Sequence, residues 1–148
     1  MHFIALDNTT DKSGALGEDQ LKWLAADLAQ LDKAQPIVVL THRPLFDLSP
    51  QWDWATQDGA KALELLKPFA NVTVFYGHIH HEHHRMVDGK AHHAAASLIF
   101  PLPEAGSQPK KAPIAWDPAA PFKGLGFRRV GAKSGAPELR LDELHLKA

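Results

Sequence analysis

Two short runs of apolar, largely β-branched residues restrict the fold of this chain more than any other feature of its sequence. They occupy positions 37–41 (IVVLT) and 72–76 (VTVFY), and each has the character of a strand in the interior of a parallel sheet. A strand pattern at 3–6 and helical patterns at 18–31 and 60–67 lie around them. This alternation of strand and helix predicts a layered α/β fold with a buried sheet.

The second half of the chain has a different pattern. A hairpin is predicted around the turn sequence Asp88-Gly89, and a second hairpin pairs 126–130 with 139–146. Between the two hairpins, positions 101–121 hold six of the eleven prolines. The α/β part is therefore expected to be followed by an irregular segment and C-terminal hairpins.

Length and composition indicate one globular domain. A chain of 148 residues can bury a sizeable core, so we predict a single domain over 1–148, with 101–148 as a proline-rich and hairpin C-terminal extension. Sixteen basic and seventeen acidic residues leave a net charge of −1, which argues against nucleic acid or an acidic membrane as a partner. The absence of cysteine excludes disulfides and thiolate ligands. No signal peptide or membrane segment is predicted, and the chain as it stands is expected in the cytoplasm.

Histidine is the residue type that points to chemistry, because five of the ten histidines lie within positions 78–84. His42 follows the first buried run and His78 follows the second. If these strands are parallel neighbours, both side chains project into the crevice where α/β folds bind ligands. His78 and His80 are two residues apart, so in extended backbone they point to the same side. Since neutral imidazole is a good ligand for transition metals, the pattern predicts a metal site on His42, His78 and His80.

Several residues also have plainer interpretations, which the sequence leaves open. His42 alone is typical of a hydrogen-bonded histidine at a strand end. Arg43 is either a phosphate contact, because guanidinium matches phosphate bidentately, or a surface residue. Other polar clusters are expected to be solvated: a loop extension at His81, His83 and His84, a hairpin edge at His92 and His93, and a basic surface spot at Lys110 and Lys111. Trp52 and Trp54 favour core packing over a roof above a pocket.

Two motifs carry a resemblance to a known family. Thr41-His42-Arg43-Pro44 at one strand end and Gly77-His78-Ile79-His80 at the next resemble the C-terminal half of the calcineurin-like metallophosphoesterases of bacterial type. The resemblance covers about residues 3–100 and implies half of that family's α/β sandwich. It also implies a dinuclear centre of divalent transition metals (zinc, manganese or iron), with His42 and His78 on one metal and His80 on the other. Such a centre hydrolyses phosphomonoesters or phosphodiesters through a metal-activated hydroxide.

The N-terminal motifs of that family, D-x-H, G-D and G-N-H-[DE], do not occur in this sequence. These motifs supply the bridging carboxylate and the asparagine ligand, and two dications held mainly by neutral histidines would repel each other strongly at about 4 Å. We therefore expect an incomplete, truncated domain. Members of this type are often exported, so the resemblance also implies a longer, exported parent.

Three arrangements follow from the missing motifs. The chain is an inactive fragment, or it assembles with another copy and borrows carboxylates such as Asp7 or Glu82, or it is a metal-binding or interaction module. Missing strands would expose a sheet edge and an apolar face, so we expect a homo-oligomer. The leading hypothesis is metal-dependent hydrolysis of a small phosphoester, completed by oligomerisation and with no assignable catalytic side chain. The alternative is a catalytically inactive metal-binding or structural fragment.

Overall fold

The computed structural model describes residues 1–134 and 136–147. Within them the helices and strands follow one another in this order: β1 (His2–Leu6), α1 (Glu18–Leu28), β2 (Ile37–Thr41), α2 (Gly59–Leu66), β3 (Val72–Tyr76), β4 (His83–Val87), β5 (Lys90–Ala94), β6 (Gly126–Ala132) and β7 (Leu139–His145). The α/β fold and both hairpins are confirmed. Neither helix in the described part of the chain has the length and apolar character that a membrane crossing requires.

The main sheet has five strands in the order β1-β2-β3-β5-β4. Strands β1, β2, β3 and β5 are parallel, and β4 pairs antiparallel with β5 at the edge. Strands β6 and β7 form a separate two-stranded sheet. The parallel arrangement places the carboxyl ends of β1, β2 and β3 side by side, which is the edge that the sequence analysis associated with the histidines.

One face of the sheet packs against the two helices. Ile4, Val39 and Val74 are in register across β1, β2 and β3, and each is at most 1% exposed. The helices cover them because their apolar residues recur at helical spacing; Leu24 of α1 and Leu66 of α2 are fully buried. This inner core makes the sheet a rigid support for the loops at its carboxyl edge.

The opposite face of the sheet is only partly covered. Val38 is 4% exposed, but Leu40 in the same strand is 44% exposed and Phe3 of the edge strand is 63% exposed. Arg128 and Val130 of β6 lie over this face and, with these three residues, line an open cavity of about 300 Å³. The expectation that the run at 37–41 is buried on both faces is therefore right for Val38 and wrong for Leu40, because the second layer is short.

A second apolar cluster lies under the loops that follow β2 and β3. Trp52 and Trp54, 4% and 1% exposed, pack edge to face with ring centroids 4.9 Å apart. Phe46, Tyr76 and Ile79 belong to the same cluster. The prediction that the two tryptophans are core residues is confirmed, and their cluster supports the loop that carries the histidines.

Candidate functional site

The structure brings His42 and His78 together at the carboxyl edge of the sheet. His42 directly follows β2, and His78 lies two residues after β3. The Gly77 amide donates a hydrogen bond to the His42 carbonyl oxygen at 2.9 Å, which ties the two strand ends together. His78 Nδ1 lies 3.1 Å from His42 Nε2, and the two rings meet nearly at right angles. The contact follows from the parallel pairing of β2 and β3.

His80 is oriented differently from the sequence-based expectation. The backbone is not extended here, because His78 and His80 have φ angles of 62° and 56°, in the left-handed region. The two side chains therefore do not alternate as in a strand, and the prediction that they point to the same side on that ground is wrong. The chain turns because Ile79 between them is fully buried in the second apolar cluster. His80 Nδ1 instead donates to the carbonyl oxygen of Phe100 at 2.9 Å. A carbonyl oxygen only accepts, so Nδ1 carries the proton and His80 Nε2 has the free lone pair.

Both imidazoles of the pair are neutral at neutral pH. Burial lowers the pKa of His78 to about 4, and the Arg43 guanidinium acts in the same direction. Burial also lowers the pKa of His42, again with help from Arg43. A neutral imidazole has a lone pair on one nitrogen, which is the form that binds metal ions.

The geometry of this pair fits one metal ion. Two nitrogens that each lie about 2.0–2.1 Å from a zinc ion are about 2.8–3.4 Å apart, the shorter value at octahedral and the longer at tetrahedral angles. The separation of 3.1 Å between His78 Nδ1 and His42 Nε2 falls in that range. The other ring nitrogen, His78 Nε2, points away from this position and is buried, and among the described residues it has no hydrogen-bond partner within normal geometry.

A dinuclear centre does not fit one copy of the chain. Within residues 1–134 and 136–147, no group of three His, Cys, Asp or Glu side chains is placed to hold a metal ion. The carboxylate of Asp7 accepts hydrogen bonds from Thr9 and Thr10, and Glu82 pairs with His145 at 3.1 Å. Within the described residues, the histidine pair therefore offers two nitrogen atoms and no third side chain to a metal ion.

The Arg43 side chain is mostly buried, close enough to His42 and His78 to lower the pKa of both. Its side chain is 14% exposed, and its Nη1 lies 2.8 Å from Asp53 Oδ2 and donates to the Asp53 carbonyl oxygen at 3.1 Å. Gly14 allows this position: a Cβ there would lie 3.0 Å from the guanidinium, and the φ of Gly14 is +76°. The guanidinium is thus held beside the histidine pair.

Lys111 is a component that sequence reasoning missed. Its side chain is 41% exposed, as predicted for a basic surface spot, but its Nζ lies 3.6 Å from Asp53 Oδ2, and its charge contributes to lowering the pKa of His78. Arg43 and Lys111 thus share one carboxylate and leave one positive charge beside two neutral imidazoles. No local signal marks Lys111, because the proline-rich segment that carries it has no periodicity from which its path could be predicted.

Asn8 holds the strand end that carries His42 and Arg43. It is fully buried; its Nδ2 donates to Thr41 Oγ1 at 2.7 Å and to Thr56 Oγ1 at 2.6 Å. Its Oδ1 accepts from the Arg43 amide at 3.1 Å. The signal available in the sequence is its position two residues after β1, at the same edge of the sheet as His42.

The remaining histidines are less solvated than expected. His92 is fully buried, and neither ring nitrogen has a hydrogen-bond partner in the described part of the chain, so the interpretation of a polar hairpin edge is wrong for it. The side chains at 81 and 83 are not a solvated extension either: His81 Nδ1 is buried, and His83 Nδ1 accepts from the Tyr76 hydroxyl at 2.6 Å. His84 is half exposed and contacts His93 across the hairpin. His81, His83 and His92 are shielded from water because the second apolar cluster covers the inner face of β4 and β5.

No family model matches this chain, and no curated protein sequence matches it. Among solved structures, a dimetal phosphatase from Danio rerio aligns with 54% of this chain and 27% of its own length, at 23% sequence identity and a TM-score of 0.47. This chain therefore spans little more than a quarter of the length of that phosphatase.

Proposed function

We propose that this chain hydrolyses small phosphoesters with the help of a divalent transition metal ion, zinc, manganese or iron, held by His42 and His78. The observation that supports this most directly is the pair of neutral imidazoles, with nitrogens 3.1 Å apart, at the carboxyl edge of a parallel sheet. Arg43 and Lys111 lie beside the pair and add the positive charge that a phosphoryl group requires.

In the hydrolysis, a water oxygen forms a bond to phosphorus, the bond from phosphorus to the ester oxygen breaks, and the alcohol leaves with a proton that the water has lost. The metal would supply Lewis acidity for the phosphoryl oxygens and lower the pKa of the attacking water. The part of the chain itself is to bind and orient. Arg43 contacts the phosphoryl oxygens from a fixed position, and Lys111 adds a second cation. His80, whose Nε2 retains a lone pair, forms no three-ligand group with the pair among the described residues, and we propose it as a ligand of a second ion that another copy of the chain would complete.

We further propose that a second copy of the chain completes the coordination sphere. Two protein ligands leave an ion with open positions, whereas a catalytic zinc site has three protein ligands. The uncovered face of the sheet, with Phe3 and Leu40 exposed, offers an apolar surface for association. Strand β1 also lies at the edge of the main sheet, and within residues 1–134 and 136–147 no strand pairs with its outer side.

The experiment is a metal titration of the untagged chain, with bound zinc or manganese measured per chain and hydrolysis of p-nitrophenyl phosphate and bis(p-nitrophenyl) phosphate followed in parallel. We expect His78→Ala and His42→Ala to lower metal affinity at least tenfold and to abolish hydrolysis. His145→Ala, a change at an exposed histidine, is the matched control. Circular dichroism shows whether each variant is folded. Full metal binding and activity in folded His78→Ala would refute the assignment.

The alternative is a metal-binding or structural module without catalysis. One observation favours it: no third ligand is placed beside the pair within the described residues. The same titration separates the two hypotheses. Stoichiometric metal that depends on His42 and His78, without hydrolysis of either ester, supports the module. Hydrolysis that depends on the same two residues supports the enzyme.

A further inference from the structure

The proline-rich segment forms an apolar cleft that the proposed hydrolysis does not yet use. Residues 99–101, 114–117, 120–121 and 123–125 enclose about 340 Å³. Ile99 and Trp116 line it and are 76% and 72% exposed, which is unusual for side chains of this size. The charged residues on its wall are Asp117 and Lys123. An apolar cavity of this volume with few polar groups has the character of a small-molecule site.

The cleft is held open by backbone contacts. The Ile114 amide donates to the Pro101 carbonyl oxygen at 3.0 Å, and the Gly126 amide donates to the Ser97 carbonyl oxygen at 3.1 Å. Gly124 has φ +79°, and a Cβ at this position would lie 3.0 Å from the Pro101 side chain. The two walls of the cleft therefore meet where Gly124 packs against Pro101. The hydrogen bond from Gly126 to Ser97 joins the cleft to the segment after β5.

Two contacts connect the wall of the cleft with residues near the histidine pair. Phe100 lines the cleft, its carbonyl oxygen accepts from His80 Nδ1 at 2.9 Å, and its ring lies 4.6 Å from the His80 ring. The same excursion of the chain, between Pro101 and Ile114, carries Lys111 to Asp53. One segment therefore provides both a cation for the phosphoryl group and an apolar wall.

We propose that this cleft binds the apolar, aromatic group of the phosphoester, so that the substrates are aryl or arylalkyl phosphates. The proposal rests on the proposed function for the position of the phosphoryl group. The apolar group lies against Trp116 and Ile99, and the ester oxygen points past Phe100 toward His80. Burial of an aromatic group here removes exposed apolar surface from water, which stabilises the complex.

Binding of 2-naphthylmethylphosphonate, an aromatic phosphonate that cannot be hydrolysed, tests the cleft without any reaction. Isothermal titration calorimetry on the metal-loaded protein is expected to show binding that Trp116→Ala weakens about tenfold and Trp116→Phe retains. Trp23→Ala is the matched control, because Trp23 is an exposed tryptophan on α1 that does not line the cleft. Methylphosphonate, which lacks the aromatic group, is expected to bind equally to all four proteins.

The outcomes separate this inference from the proposed function. Equal binding of the naphthyl probe to the wild-type chain and Trp116→Ala, or no binding at all, overturns the cleft even if phosphoesters are hydrolysed. Binding that depends on Trp116, in a protein that hydrolyses neither naphthyl nor methyl phosphate, supports the cleft and contradicts the enzyme. Hydrolysis of naphthyl phosphate with a higher kcat/KM than methyl phosphate, lost in Trp116→Ala, supports both.

Discussion

At the scale of single residues, Asn8 has the largest structural consequence for the candidate site. Its amide contacts Thr41, Arg43 and Thr56 from a fully buried position. Asn8→Ala leaves several buried polar groups without partners, and we expect a loss of about 2–4 kcal/mol in the free energy of unfolding. The measurement is urea denaturation followed by circular dichroism.

The control for Asn8 is the other asparagine of the chain. Asn71 makes one side-chain hydrogen bond, to the Ala34 carbonyl oxygen at 2.8 Å, in an exposed position. Asn71→Ala is expected to cost less than about 1 kcal/mol, because water replaces the lost partner. Equal losses in the two variants would show that the Asn8 network does not hold the strand end.

His92 is expected to make the fold sensitive to acid. Burial lowers its pKa to about 4, whereas in the unfolded chain the pKa has the ordinary histidine value of about 6.5. Between these two values the unfolded state binds more protons, so the free energy of unfolding falls as the pH drops from 6.5 to 4 and is unaffected by His92 above that range. The shift corresponds to roughly 3 kcal/mol.

The test of His92 is the pH dependence of stability in His92→Leu. Because leucine does not titrate, we expect this variant to lose less stability than the wild-type chain between pH 6.5 and 4. Denaturation at pH 8, where His92 is neutral in both states, separates the packing effect of the substitution from the titration. Identical pH profiles in the two proteins would contradict the prediction.

At the scale of elements, Arg128 joins the β6–β7 hairpin to the main sheet. Its side chain is 4% exposed, pairs with Glu143 of β7 and donates to the Ala94 carbonyl oxygen of β5 at 2.8 Å. Arg128→Met leaves Glu143 without its cation, and we expect a loss of about 3 kcal/mol in a denaturant titration.

Arg129, the next residue of β6, is the matched control. It also pairs with a carboxylate of β7, Asp142, but its side chain is 65% exposed. Exposed ion pairs contribute little, so Arg129→Met is expected to leave the denaturation midpoint unchanged. A loss in Arg129→Met as large as that in Arg128→Met would show that burial of the pair is not what anchors the hairpin.

The start of α2 depends on a close approach of backbones. A Cβ on Gly59 would lie 2.2 Å from the Leu45 carbonyl oxygen. Gly59→Ala is therefore expected to lower the free energy of unfolding by about 2 kcal/mol or more, although alanine favours helices. Gly131→Ala in β6, where the nearest side chain would be 3.7 Å away, is expected to be tolerated. Thermal unfolding of both variants shows whether the steric clash with Leu45 outweighs the helix propensity of alanine at position 59.

At the scale of the whole molecule, the uncovered face of the sheet is the surface through which we expect copies to associate. Leu40→Lys places a charge in the centre of this face and is expected to shift the chain toward monomer in sedimentation velocity at micromolar concentration. Leu98→Lys changes an exposed leucine that does not line the face and is the control. A wild-type chain that sediments only as a monomer would refute the association.

By itself the sequence determined the α/β alternation, the order of the strands along the chain and the position of His42 and His78 after two of them. These features follow from local periodicity and from the rule that parallel strands end at one edge of the sheet. Both can be recognised in stretches of a few residues. Only the tertiary structure decided the orientation of His80, the burial of His92 and the arrival of Lys111 beside Asp53. Each depends on packing between segments far apart in sequence: Ile79 enters an apolar cluster and turns the chain, and a proline-rich segment without periodicity folds back over the sheet edge. The pattern of one short segment does not predict such contacts, because the free energy that stabilises them depends on a second segment that is distant in sequence.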